Sequence, residues 1–420
     1  MRIALLHSYY SSAQSSGENV VVDAQFQALS AAGHDVMLLG RRTDTEQALS
    51  GYQVRAAWRT LTNRGPNPFD RLRRFEPDVV HVHNTVPNIG LTWLPRWRGP
   101  VVHTLHNFRP LCANGLLFRD GRVCTDCPDG RPWSAVEHGC YRNSALASTP
   151  IAARNSQGVA VNPLLNRADA LIVLSAYARD VFTRYGVDRH KVHLLPNGVR
   201  QIHAEAVVEP PEQRWIAVGR LRAEKGFVEL LRGWPDGVGL DIAGTGPQRG
   251  ELEALAGGSV RFLGQVPAAE LRRMLPSYTG MVFTSLAPES AMPLVVVEAL
   301  EAGIPVAIVA SSPHASELIT RGVAFGLAVD ARAVRIDSIL EALAWAYRGG
   351  ESLRSRCREL YEEQYGEATW VARLTALYAE LLRTGAGRAR APRTNARTLT
   401  NQPPPTASSP PDPTSSPELS

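Results

Sequence analysis

The octapeptide Gly219-Arg220-Leu221-Arg222-Ala223-Glu224-Lys225-Gly226 follows directly on the apolar run Trp215-Ile216-Ala217-Val218. A short continuous apolar run ended by glycine reads as a fully buried strand. The turn after it carries two cations, Arg220 and Lys225, and leads into the apolar-periodic stretch Lys225–Leu231, which reads as a helix. An anion held there gains backbone N–H groups and the positive end of the helix. Working outward, the same alternation repeats. Strand candidates are Leu240–Ala243, Val260–Leu263, Met281–Thr284, Pro305–Val309 and Ala324–Val329. Helix candidates Gln248–Leu255, Pro267–Leu275 and Pro293–Ala302 fall between them.

An equivalent series precedes it. Its strands are Arg2–His7, Val36–Leu39, Val79–His83, Val101–Leu105, Leu171–Leu174 and Val192–Leu195. Its helices include Glu18–Ala32, with a Val22, Phe26, Leu29 stripe stopped by Gly33, and Tyr177–Tyr185. Strand-helix alternation at this spacing requires parallel sheets covered by helices on both faces. The fold class is therefore α/β, with two doubly wound Rossmann-like domains facing a cleft. The expected bounds are 1–200 for the first domain and 201–366 for the second, with Gln201–Gln213 as the joint. A helix over 367–383 carries an apolar stripe of Trp370, Leu374, Leu377 and Leu381. Beyond it, 384–420 is a Pro/Ser/Arg tail with too few apolar residues to fold.

Composition narrows the function. The 420 residues hold 45 Lys+Arg against 40 Asp+Glu, a formal net charge of +5, too mild to support nucleic-acid binding. Four of those cations (Arg388, Arg390, Arg393, Arg397) lie in the tail. Glu298, Glu301 and His103 interrupt the apolar stretches well before the ~18 residues of a membrane span. The opening Met1–His7 is too short for a secretion signal, so a cytoplasmic location is expected. Arg71, Arg73, Arg74, Arg96 and Arg98 make a basic face that is either simply solvated or suited to peripheral contact with anionic lipid.

Two further segments carry chemistry. Gly244-Thr245-Gly246-Pro247 also follows a strand, but it lacks the spacing of a dinucleotide fingerprint, and so does the loop Ser8–Gly17 after the first strand. A nicotinamide or flavin oxidoreductase is thus disfavoured. In Pro288–Val306, Pro293 suits a first helical turn. The N–H groups of Leu294 and Val295 are then free to meet a diphosphate, with Glu298 one turn deeper, placed to accept from a ribose diol.

In this order, these segments resemble the family 4 retaining glycosyltransferases (glycosyl transferases group 1) of the GT-B fold. The resemblance also rests on Gly33-His34-Asp35-Val36, Pro77–His83, Val102–His106, Asp169–Ser175 and Pro196-Asn197-Gly198-Val199. It implies that Arg220 and Lys225 hold the donor diphosphate and that Glu298 binds the ribose. It implies too that His106 stands by the reacting sugar, that Gly17 lies where backbone approaches the donor phosphate, and that the last helix crosses back to the first domain. The family pattern separates two glutamates by seven residues, whereas eight separate Glu289 from Glu298. Either a one-residue bulge keeps Glu289 on the donor sugar or Ser290 takes its place.

Four of five cysteines cluster at Cys112, Cys124, Cys127 and Cys140, inside an insertion at 107–148 that follows His106. One C-x2-C knuckle with two flanking thiols suits a structural zinc. The alternative is four free thiols.

The implied activity is retaining transfer of a sugar from a nucleotide-sugar donor to a saccharide or lipid-linked acceptor in cell-surface polysaccharide or glycolipid assembly. No catalytic metal is expected, because protein cations neutralise the leaving group. A GT-B nucleotide-sugar epimerase and a catalytically silent sugar-nucleotide scaffold are the alternatives.

Overall fold

The computed structural model describes residues 1–12, 16–201, 213–330 and 333–385. Most of the expected joint, and the tail beyond 385, lie outside these residues.

The front lobe is built on six parallel strands: β1 (Arg2–Tyr9), β2 (Asp35–Arg42), β3 (Val79–Val82), β4 (Val101–Leu105), β5 (Ala170–Val173) and β6 (Val192–Leu194). They lie in the order β2-β1-β3-β4-β5-β6. The rear lobe repeats the plan with β7 (Trp215–Val218), β8 (Leu240–Ala243), β9 (Val260–Gly264), β10 (Gly280–Phe283), β11 (Val306–Val309) and β12 (Ala324–Leu327), in the order β9-β8-β7-β10-β11-β12. Covered on both faces, β3, β4, β5, β8, β10 and β11 are buried along their whole length. This is why they appear in the sequence as unbroken apolar runs. In both sheets the strand order reverses beside the first strand, which puts the ligand crevice at the tips of β1 and β7.

The helices that matter for the site are α1 (Gly17–Ala31), α2 (Tyr52–Thr62), α3 (Ala145–Asn155), α4 (Ala176–Arg184), α5 (Phe227–Gly233), α6 (Leu294–Glu301), α7 (Ile336–Gln364) and α8 (Glu367–Gly385). Ser16 starts α1 by accepting from the Asn19 N–H, and Ser175 starts α4 by accepting from Ala178 N–H. α7 kinks at Gly350 (φ 48°). α8 leaves the rear lobe and buries Trp370, Leu374, Leu377 and Tyr378 against Ile3, Leu5, Val21 and Leu29 of the front lobe. The Tyr378 hydroxyl lies 2.7 Å from His81 Nδ1 and takes a hydrogen bond from Gln25 at 3.2 Å, so the crossing is locked by buried polar contacts as well as by packing.

Some sequence boundaries need correction. Lys225 is not helical: Ala223–Lys225 forms a 3-10 turn, Gly226 adopts φ 70°, and α5 starts at Phe227. Pro267–Leu275 splits into a helix over Ala268–Met274 and a 3-10 turn over Leu275–Ser277, where Pro276 cannot continue the ladder. The candidate strand Ala324–Val329 ends at Leu327, and Val329–Asp330 turns to pair antiparallel with Ala333–Val334. α8 continues two residues past 383, to Gly385.

Candidate active site

The turn after β7 is fixed by backbone packing. A Cβ on Gly226 would stand 2.2 Å from the Thr284 carbonyl oxygen, and one on Gly244 would stand 1.8 Å from that of Gly219. Glycine is therefore obligatory where the tips of β7, β8 and β10 converge. That convergence presents Arg220 and Lys225 at the crevice. Arg220 is 41% exposed, and its only ion pair among the described residues is a long one, 3.9 Å to Glu224. It is available to a ligand.

Lys225 Nζ lies 2.5 Å from Glu289 Oε1, which also accepts from the Ser285 hydroxyl at 2.9 Å. Burial pushes the Glu289 carboxyl up, but the Lys225 charge and the two hydrogen bonds outweigh it and leave the group below the usual carboxylate range. The imidazole of His314 touches the Glu289 carbonyl at 3.2 Å and secures the loop from behind. Of the two candidates left by the spacing, Glu289 is the one that pairs with Lys225.

Ser290 takes another part. Its hydroxyl donates to the His106 carbonyl at 2.5 Å, and its own carbonyl accepts from the Ser175 hydroxyl at 3.0 Å. Both partners belong to the front lobe, so Ser290 bridges the lobes.

Pro293 caps α6, and the amides of Val296 and Val297 turn back to its carbonyl. No side chain caps this end. The amides of Leu294 and Val295 keep their donors, since a first turn has no intrahelical acceptors. A Cβ on Gly17 would meet Leu294 Cδ1 at 3.6 Å, so the start of α1 in one lobe faces the start of α6 in the other. Glu298, one turn into α6, makes no side-chain hydrogen bond among the described residues. Burial raises its carboxyl to about 7, with Arg272 opposing and Glu301 adding to the shift.

His106 ends β4. Its Nε2 lies 2.8 Å from His83 Nδ1. Burial, and then the neighbouring histidines His7, His81 and His103, hold it well below the usual imidazole range, so the ring is neutral. A neutral ring orients by hydrogen bonds and is a poor proton donor. His81 is buried between Tyr378 and Thr104 as part of the α8 lock.

The insertion is tied into the front lobe by Phe108, Leu111, Cys112 and Leu117. Cys112, Cys124, Cys127 and Cys140 line a single small pocket and form no disulfide among the described residues. Within those residues, no three His, Cys, Asp or Glu groups stand at the mutual spacing of a metal centre. The thiols converge without being drawn to ligating distance. Burial, together with the charges of Cys112 and Cys140, pushes the Cys127 thiol up to about 12, which keeps it protonated at neutral pH.

Sequence reasoning missed α2, α3 and α7. It also missed a recess in the front lobe lined by Glu18, Arg109 and Arg154 beside His83 and His106. These residues are far apart in the chain, and no motif marks them.

The two-lobed fold is shared with solved structures. Sucrose-phosphate synthase of Thermosynechococcus elongatus is 17% identical, with a TM-score of 0.60 over 91% of this chain and 99% of that one. Anabaena HepE, solved in complex with UDP, is 14% identical, with a TM-score of 0.57 over 90% and 100%. AviGT4, a glycosyltransferase involved in avilamycin A biosynthesis, is 18% identical, with a TM-score of 0.56 over 91% and 98%. None of the curated proteins matches the chain by sequence. The Glycosyltransferase Family 4 model matches residues 15–201 and the Glycosyl transferases group 1 model residues 212–348. With a model on each lobe, the chain belongs to the glycosyltransferases of the GT-B fold. No helix among the described residues is long and apolar enough to cross a membrane.

Proposed function

We propose that the protein moves a sugar from a nucleoside-diphosphate donor to an acceptor hydroxyl with retention at the anomeric carbon. The observation that carries this reading is the grouping of Arg220, Lys225 and the uncapped start of α6 at the strand tips. Charge develops on the departing diphosphate as the anomeric C–O bond breaks, and preorganised cations and amides stabilise it without reorganising. The acceptor oxygen bonds to the same face of the anomeric carbon while its proton passes to the departing phosphate oxygen. Neutral His106 orients the sugar, Glu289 takes its hydroxyls and Glu298 takes the ribose diol. Lys225 exchanges its partner from Glu289 to phosphate when donor enters. Anabaena HepE has also been solved with UDP-glucose, which favours a UDP-sugar for this chain.

The acceptor in this reading is a saccharide or lipid-linked saccharide of a cell-surface polymer or glycolipid. The exposed Arg71, Arg73, Arg74 and Arg98 lend themselves to peripheral membrane contact. The four clustered thiols are proposed to close on a structural zinc, which would supply the charge that draws them together. The test of the reaction is a thermal-shift panel of UDP-, GDP-, ADP- and TDP-sugars, since ligands that bind the folded state raise the melting temperature. NMR of the glycoside product then reads the anomeric configuration. An inverted product overturns the retaining step, and no shift with any nucleotide-sugar overturns the donor site.

A further inference from the structure

The recess in the front lobe is a small cavity of about 70 Å³ that opens to solvent. His83 and His106 also line it, and His106 is the residue proposed above to orient the sugar. Its walls hold two guanidinium groups, Arg109 from the insertion and Arg154 from α3. Their Nε atoms, and His83 Nε2, are shielded from solvent with no hydrogen-bond partner among the described residues.

The two arginines are not equivalent. Arg109 Nη1 donates to the Tyr10 hydroxyl at 3.1 Å, and its guanidinium lies 5.7 Å from the ring centroids of both Tyr10 and Tyr141. Glu18 adds a nearby negative charge for Arg109. The Arg154 side chain has no hydrogen bond or ion pair among the described residues, and the charged group it feels most is Arg109, of like sign. Burying a cation without an anion is costly, and a second cation beside it adds to the cost. Glu18, which accepts from Tyr10 and Asn107 at 3.2 Å each, does not balance both. Burial raises its carboxyl to about 7, so it is only partly ionised near neutrality.

We propose that the acceptor carries an anionic group, a phosphate or a carboxylate, which docks between Arg109 and Arg154 and turns the acceptor hydroxyl toward His106. Guanidinium forks match the paired oxygens of both anions. Calling the ligand an acceptor rests on the transferase reading above; the anion site itself does not.

The test uses Arg220→Ala/Lys225→Ala protein, in which the donor phosphate site has lost both its cations, and glycerol phosphate, glucuronate and neutral methyl glucoside as probes. The two anions raise the melting temperature and methyl glucoside does not. Adding Arg154→Gln weakens anion binding at least tenfold, whereas Arg154→Lys, which keeps the charge, retains most of it. Arg154→Gln alone melts no lower than the parent, because no partner is lost. Equal anion binding with and without Arg154→Gln overturns the proposal, and so does binding by none of the probes. Co-sedimentation with phosphatidic acid vesicles, against phosphatidylcholine, separates the sources. A further loss on Arg154→Gln assigns a lipid phosphate, and loss confined to the soluble probes assigns a free one. UDP binding to the wild type is measured separately, so failure of the donor site and failure of the recess give different results.

Discussion

Lys225 Nζ stands 2.5 Å from Glu289 Oε1, and this ion pair occupies the place where the donor diphosphate and sugar are proposed to meet. Lys225→Ala removes a cation aimed at the leaving group. The loss of one such electrostatic contact costs about 10²–10³-fold in turnover. Lys225 is 20% exposed and its partner 26%, so the fold should survive with a melting temperature lowered by a few degrees at most. Arg220→Ala should act in the same direction. Near-normal turnover in both variants, measured with saturating donor, would contradict leaving-group stabilisation by these cations.

Glu298 predicts a pH dependence. Burial, the largest cause, raises its carboxyl to about 7 from 4.5. Between those values the folded chain binds more protons at this site than the unfolded chain, so stability falls as pH rises through the window. Glu18 contributes in the same sense. Donor binding runs the other way, because the ribose diol favours the ionised carboxylate. kcat/KM should therefore rise through about pH 7. Glu298→Gln should flatten that rise and lower donor affinity about tenfold. A pH profile identical to the wild type would remove Glu298 from the ribose site.

Much of the scaffold was readable in advance because parallel strands buried on both faces leave unbroken apolar runs. β4, β7 and β8 match their sequence bounds to the residue. The missed elements have physical reasons. α2 carries its apolar stripe of Val54, Trp58 and Leu61 on the solvent side, so the stripe does not point to a core. α3 contains Pro150, a breaker in sequence terms, yet its lost hydrogen bond falls opposite Leu146, which is 85% exposed and leaves that carbonyl to water. α7 survives Gly350 by kinking there. At the site, Arg220, Lys225 and Glu298 were singled out from position relative to strands and Glu289 from the family resemblance. Arg109 and Arg154 were not, since only the folded insertion brings them together.

Ser290 predicts an effect on lobe closure. Its two hydrogen bonds, to His106 and from Ser175, join the lobes directly. Ser290→Ala deletes the hydroxyl bond alone, a loss of about 0.5–1.5 kcal/mol, and so lowers the closed fraction several-fold. Small-angle scattering should report a larger radius of gyration without donor. Saturating donor should restore the wild-type value, while KM rises more than kcat falls. An unchanged radius together with unchanged KM would show that the lobes are held by α8 packing alone.

The cysteine pocket makes the last prediction, and it turns on protons. In the metal-free chain, burial and mutual charge raise the Cys112, Cys127 and Cys140 thiols, with Cys127 reaching about 12. Thiols in that state are protonated and poor nucleophiles at pH 7. Zinc must displace those protons, so its affinity should steepen with rising pH and its binding should release protons measurable in weakly buffered solution. Chelator-treated protein should melt at lower temperature, and Cys127→Ser should abolish the difference between chelated and zinc-loaded samples. The insertion packs Phe108, Leu111 and Leu117 into the front core, so the effect should reach the whole front lobe. If purified protein holds no stoichiometric zinc and added zinc releases no protons, the pocket is four unligated thiols and the insertion folds by packing alone.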